Sequence, residues 1–231
     1  KNEYETIFEE SVNEKGLLLR LPEHTLDLNR FKFKMRDALD VLAKTISNNN
    51  LTVEACEYAF KQTSWKEAGE GVSLGSRADM LLTDKNGGKV IFDFKYSSGK
   101  TYRTEIEKNQ ALQLEVYRYM AKQEFGTATN VRVAYVLLPE VTLLTADSFT
   151  DVTGIKVTAE RVDSNVMSEA AHSYKFRWQQ FKAGKIERVE GCNVGTGEYA
   201  EQESAQVLFP LSVYDKKYSE DKFDKGYKNL R

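Results

Sequence analysis

The chain has 231 residues, 41% of them apolar and 29% charged, with a formal net charge of -2. This size and mix suit one sizeable α/β domain, leave two small domains as the alternative, and exclude a globally disordered chain. The near-neutral balance excludes recognition of nucleic acid by bulk basicity, so any DNA contact needs local basic patches or a bound cation.

In chain order, residues 3–14 predict an amphipathic helix with Tyr4, Ile7, Phe8 and Val12 near one face. The stretch GLLLRLPEH breaks it. A second helix is predicted from about Asp27 to Ser47, carrying Leu28, Phe31, Met35, Leu39, Leu42 and Ile46, and ending in Asn48-Asn49-Asn50. LTVEACEYAF reads as a strand and residues 62–72 as a polar loop. SRADMLLTDKNGGKVIFDFKYSSGK then sets two β-type runs around a turn rich in Asp, Asn and Gly, which signals a hairpin. Residues 103–125 predict one long helix, VRVAYVLLP a buried strand, VTLLTA another strand, and residues 163–183 a further helix. The order implies an α/β fold with a mixed central β-sheet flanked by helices. A single domain over 1–231 is expected, with a helical part at 1–50, a core at 51–145 and a C-terminal part at 146–231.

Two cysteines, Cys56 and Cys192, are too few for a four-cysteine zinc or iron–sulfur centre, and their separation argues against a disulfide scaffold. Free thiols suit a reducing, cytoplasmic setting. No run of 18 apolar residues and no signal-peptide pattern occurs, so no membrane is expected as a partner. The sequence opens directly in a helical pattern, which predicts a fragment of a larger protein.

The hairpin carries the chemistry. With Asp84–Gly88 as its loop, Thr83 pairs with Lys89, Leu81 with Ile91, and Asp79 with Asp93. Opposed residues on antiparallel strands hold their Cβ atoms about 4.5–5.5 Å apart. Lys95, two residues beyond Asp93, shares that face. Met80, Leu82, Val90, Phe92 and Phe94 line the other. Two opposed carboxylates on a buried sheet repel each other, and a hard divalent cation such as Mg²⁺ or Mn²⁺ removes the conflict. Such a cation can hold a phosphate oxygen and acidify a water, with Lys95 orienting that water or stabilising charge. The plainer alternative is a salt-bridged strand pair, with Lys95 neutralising both aspartates. On the predicted helix after the hairpin, Gln110, Gln113 and Tyr117 fall at i, i+3 and i+7, on one face, where they would meet a phosphate backbone or a base. The alternative there is a helix with exposed amides and an amphipathic tyrosine.

These pieces together resemble the PD-(D/E)XK nuclease superfamily, and within it the RecB-like nuclease domains of helicase–nuclease repair complexes. Ser76-Arg77-Ala78-Asp79-Met80 resembles the G-R-x-D-x strand, with serine for glycine. Val90-Ile91-Phe92-Asp93-Phe94-Lys95 resembles the hydrophobic D-x-K strand, and Gln113-Leu114-Glu115-Val116-Tyr117 the Q-x-x-x-Y helix. The resemblance implies a restriction-endonuclease-like fold. It also implies a Mg²⁺- or Mn²⁺-dependent deoxyribonuclease, an exonuclease in DNA repair or recombination, with DNA and helicase-type domains or subunits as partners.

Residue by residue, it implies Asp79, Asp93 and the Phe94 backbone carbonyl as metal ligands and Lys95 as the catalytic lysine. Gln113 and Tyr117 would be the DNA-facing accessory pair, and Glu57 matches a glutamate often found on the preceding strand. The sequence departs from the family at the histidine that many RecB-like domains carry on an early helix. His24 falls in a predicted loop and His172 on a late helix, leaving Glu5, Glu9 or a residue upstream of Lys1 to supply that ligand. The iron–sulfur cluster of some relatives is not expected here. Two other classes stay open: a degenerate nuclease fold serving as a DNA-binding or assembly module, and an interaction domain whose charged, aromatic C-terminal tail docks a partner.

Overall fold

The computed structural model describes residues 2–149 and 165–184. The chain divides into two compact units, one made of residues 1–63 and 75–162, the other of residues 64–74 and 163–231. The predicted tail after residue 184, with Cys192, lies outside the described residues.

The first unit is built on a five-stranded mixed sheet. Helix α1 (Asn2–Lys15) leads through two short 3-10 turns, Leu17–Arg20 and Pro22–His24, into α2 (Thr25–Asn48). Phe8 and Val12 of α1 are buried, but Ile7 is exposed, and so is Leu39 of α2, where Ala38 takes the inward position instead. The burying stripe is therefore rotated from the one predicted. Asn50 turns the chain out of α2 at φ 50°, a left-handed conformation that asparagine tolerates through its short polar side chain. The strands follow: β1 (Leu51–Ala59), β4 (Arg77–Asp84), β5 (Lys89–Lys95), β6 (Val131–Leu137) and β7 (Thr142–Leu144). They lie in the order β1-β4-β5-β6-β7, with β5 and β6 parallel and the other neighbours antiparallel.

One face of this sheet carries the predicted apolar layer. Leu82, Val90 and Phe92 join Leu42 of α2, Leu51, Ala134, Val136, Leu143 and Phe149, with Met80, Phe94 and Ile46 packed at the margin. Burying side chains of this size contributes about 1.5–3 kcal/mol each before the entropy of ordering is charged, so this layer dominates the cohesion of α2 with the sheet.

The hairpin between β4 and β5 has the predicted loop and register, Thr83 opposite Lys89 and Leu81 opposite Ile91. Asp84 closes the loop. Its Oδ1 accepts the N–H groups of Asn86 (2.9 Å) and Gly88 (2.8 Å), and its Oδ2 meets Arg132 Nη2 at 3.2 Å. Burial by itself pushes this carboxyl up, but the Gly88 and Asn86 N–H groups and the Arg132 guanidinium outweigh it and hold the pKa below the ordinary 3.8. A depressed folded pKa means that the stabilisation is complete above the ordinary value and is lost as pH falls through the folded one. Asp84→Ala is expected to cost about 1–3 kcal/mol at neutral pH. Thermal melts of the two proteins should converge as pH drops below 3.8, and a difference that stays constant to low pH would refute the charge-based account.

The long helix predicted over residues 103–125 is two helices, α3 (Lys100–Glu107) and α4 (Leu112–Phe125). Asn109 breaks the run at φ 56°, and the Gln110 N–H reaches back to the Glu105 carbonyl at 2.6 Å. Gln110 therefore sits in the break and shares no helix face with Gln113 and Tyr117, which corrects the expectation for that residue. A buried polar lock fastens α4 to β6. Arg118 donates to the Val131 carbonyl and to Asp147 Oδ2 (2.7 Å), and its Nε meets Glu115 at 3.3 Å. Asp147 Oδ2 also accepts the Val133 N–H at 2.8 Å. With Leu114, Met120 and Ala121 buried beside it, this lock sets the rotation of α4 about its axis.

The segment predicted as a polar loop at 62–72, which enters the second unit at Ser64, folds back on itself. Strands β2 (Thr63–Ser64) and β3 (Ser73–Leu74) pair, and Trp65 and Ala68 between them are buried. Helix α5 (Val166–Lys182) buries Val166, Ala170 and Ala171, and sets Tyr174 at 6.4 Å from the Trp65 ring. Trp178 is exposed, stacked on Phe181 at 5.4 Å. Among the described residues no helix is long and apolar enough to cross a membrane.

Candidate active site

On the sheet face away from α2, the end of the β4–β5 hairpin meets α4. Asp93 is 3% exposed. Its Oδ1 accepts from Gln113 Nε2 at 2.9 Å and from the Tyr117 hydroxyl at 2.8 Å. Lys95 Nζ lies 2.7 Å from Asp93 Oδ2 and donates to Gln113 Oε1 at 3.0 Å. The chemistry of its partners fixes the Gln113 amide: an ammonium can only donate and a carboxylate can only accept, so Oε1 faces the lysine and Nε2 the aspartate. The second Nε2 hydrogen points to the Tyr117 oxygen at 3.0 Å. The Arg77 carbonyl lies 3.1 Å from the same oxygen and ties the network back to β4.

Asp79 completes the set from the neighbouring strand. The β4–β5 ladder carries its last regular pair at Met80 and Phe92. One residue further, the Asp79 carboxylate replaces the ladder, with Oδ2 accepting the Phe94 N–H at 2.6 Å. That bond holds Asp79 against the backbone next to Asp93. Both carboxylates act on the Tyr117 hydroxyl, whose pKa is pushed well above its ordinary value by burial first, then by the hydrogen bond and charge of Asp93, with a smaller push from Asp79. Tyr117 thus remains a protonated donor that orients Asp93. Of the plainer sequence reading, in which Lys95 neutralises both aspartates, the ion pair with Asp93 is present.

The donor set fits a hard divalent cation on one specific observation. Asp93 Oδ2 is buried and accepts no hydrogen bond, although the Lys95 ammonium lies 2.7 Å from it. An unsatisfied buried carboxylate oxygen is costly unless something positive can approach it. With Asp79 fixed alongside, two carboxylates, solvent waters and a phosphate oxygen would make a shell of the kind Mg²⁺ takes. Among the described residues, no group of three His, Cys, Asp or Glu side chains gathers that could hold a metal ion.

The other carboxylates named from the sequence have partners of their own. Glu9 meets Arg20 at 2.7 Å and Lys32 at 3.1 Å, whose hydrogen bonds hold its carboxyl below the usual range, and Glu5 lies 3.8 Å from Lys32. Glu57 sits on β1 at a left-handed φ of 54°, 3.9 Å from Arg77. His24 closes the turn before α2, and His172 lies on α5 of the second unit.

Three residues at the site escaped sequence reasoning. Tyr135 stands opposite Asp93 in the parallel β5–β6 register. Tyr102 of α3 packs on it with ring centroids 4.7 Å apart, and Lys95 Nζ lies 5.4 Å and 5.5 Å from the two ring centres. Glu105, one turn after Tyr102, has its carboxyl pushed up by burial and drawn down by Lys95. No local signal marked them, since residues 103–125 read as one helix and the break at Asn109 that separates α3 from α4 is visible only in the fold.

A family model described as the PD-(D/E)XK nuclease superfamily matches residues 2–204. No curated protein matches the chain.

Proposed function

We propose that this chain, which belongs to the PD-(D/E)XK nuclease superfamily, is a Mg²⁺- or Mn²⁺-dependent deoxyribonuclease. Members of the superfamily typically use divalent metals, and membership points to nuclease activity in general. The narrower reading is of a RecB-like, cytoplasmic exonuclease in DNA repair or recombination, working with helicase-type domains or subunits. Its support is the ordered set Ser76–Met80, Val90–Lys95 and Gln113–Tyr117.

The observation that carries the proposal is the buried Asp93 Oδ2, which accepts no hydrogen bond and faces the Lys95 ammonium at 2.7 Å, with the Asp79 carboxylate held on the Phe94 N–H one residue along. Asp79 and Asp93 would hold the cation, with the Phe94 carbonyl as the further ligand the resemblance implies. When bound, the cation supplies Lewis-acid stabilisation at the scissile phosphate and activates the attacking water. Gln113 and Tyr117 clamp Oδ1 of Asp93, which leaves Oδ2 as the oxygen turned to the reaction. Lys95 keeps its ammonium at the same edge, held by Gln113, where it can orient the water or balance charge building on a phosphate oxygen. Gln113 is open to solvent while Asp93 is buried, so a DNA backbone can reach the glutamine without uncovering the carboxylate.

The test is degradation of linear DNA by the full chain with Mg²⁺ or Mn²⁺, and again after chelation. Cleavage that needs the metal supports the proposal. A folded protein that leaves DNA intact with either metal overturns it for this chain. A second reading, a degenerate nuclease fold acting as a DNA-binding or assembly module, is favoured by one observation: no third metal-binding side chain joins Asp79 and Asp93 among the described residues. Retained DNA binding without cleavage would select it.

A further inference from the structure

Lysine is a flexible chain ending in a compact charge, so a lysine used in catalysis has to be confined. On one side Lys95 is confined by Asp93 and Gln113, through the contacts of 2.7 Å and 3.0 Å. On another, its ammonium lies over two rings, 5.4 Å from the centre of Tyr102 and 5.5 Å from that of Tyr135. Both distances are within the roughly 6 Å over which a ring face attracts a cation. Tyr135 is 1% exposed and lies on β6, an interior strand paired on both sides. Tyr102 is different, because it comes from α3, a short helix whose direction depends on Gly99. That glycine has φ 68°, and a Cβ there would meet Leu137 Cδ1 at 2.1 Å.

Resting on the nuclease reading above, we propose that Tyr102 is a positioning residue, whose ring, tilted 47° against that of Tyr135, forms with it an aromatic wall that holds the Lys95 ammonium at the Asp79–Asp93 edge. Glu105 supports the same arrangement. It lies one turn along α3 and is electrostatically coupled to both Lys95 and Tyr135. Helix α3 therefore brings an aromatic face and an acidic group to one lysine. Gln113 accepts one of the ammonium's hydrogens, the charge of Asp93 holds the ammonium close, and the aromatic wall limits where the methylene chain can swing.

The proposal separates the ring face from simple space-filling. Tyr102→Phe keeps the face and should retain kcat within about twofold of wild type. Tyr102→Leu keeps apolar bulk but removes the face, and should lower kcat for Mn²⁺-dependent cleavage of linear DNA roughly tenfold. KM should stay within about twofold, since Tyr102 is argued to act through Lys95 and not on the DNA. An activity-independent readout accompanies it. In the wild-type full chain, labelled at lysine, the Lys95 ε-methylene protons should be displaced upfield by the two ring currents. That displacement should persist in Tyr102→Phe and shrink in Tyr102→Leu. A wild-type Lys95 with unshifted ε-methylene protons overturns the proposal, even if Tyr102→Leu fails to fold. So does a folded Tyr102→Leu that cleaves at the wild-type rate. If the wild-type chain shows no cleavage, the nuclease reading fails, and the proton shifts still decide whether Tyr102 positions the lysine.

Discussion

Lys95→Ala is expected to leave the protein folded and able to bind metal while lowering DNA cleavage by roughly two to four orders of magnitude. Lysine cannot ligate a cation while its ammonium is protonated, so its removal leaves the carboxylates of Asp79 and Asp93 in place. What disappears is the positive charge 2.7 Å from Asp93 Oδ2 and the donor to Gln113 Oε1. The loss therefore falls on charge stabilisation or water orientation in the reaction. The lysine side chain is 20% exposed, so solvent can enter the space it leaves and the fold should absorb the change. Thermal melting controls for folding, and titration calorimetry with Mn²⁺ reports the metal. Undiminished cleavage by folded Lys95→Ala would remove the residue from the mechanism.

The second large effect is expected at Asp93. Asp93→Asn should lose Mn²⁺ affinity and cleavage together, with cleavage falling to the background of the assay. The substitution keeps the size of the side chain and one acceptor for Gln113 Nε2 and the Tyr117 hydroxyl. At the other atom it sets an amide donor against the Lys95 ammonium, two donors with nothing between them. A stability cost of about 1–3 kcal/mol is expected from that clash and from the lost pair. The combination separates two accounts of the same contacts. If Asp93 served only as a buried salt-bridge partner, the melting temperature would fall and Mn²⁺ binding would be unchanged. A folded Asp93→Asn protein that still binds Mn²⁺ as the wild type does would exclude Asp93 as a ligand.

Much of this was legible in the sequence, for reasons that are local. The hairpin follows from alternation and turn chemistry: Asp84, Asn86, Gly87 and Gly88 close one kind of loop, and once the loop is placed the period of two assigns every side chain to a face. That reasoning separated Asp79, Asp93 and Lys95 from Met80, Leu82, Val90, Phe92 and Phe94. Helical spacing likewise put Gln113 and Tyr117 together, because residues four apart lie one turn apart on the same side.

Tertiary structure decided what local pattern does not encode. The split between α3 and α4 depends on a left-handed Asn109 and a carbonyl reached across the break, and residues 103–125 read as one continuous helix without them. Gln110 was misassigned for that reason. The inward faces of α1 and α2 were shifted because burial follows what each helix packs on, α2 for α1 and the sheet for α2, which exposes Ile7 and Leu39 and buries Ala38. Tyr135 is far from Lys95 in sequence, and Tyr102, though only a few residues on, belongs to a separate helix. They reach it because β5 pairs in parallel with β6, which requires a long crossover, and that crossover is the segment carrying Tyr102. The sequence by itself determined which face of one hairpin holds the charged groups. Only the long-range pairing of β5 with β6, and the lock of Arg118 on β6, decided which side chains surround them, because those contacts join residues whose separation along the chain carries no periodic signal.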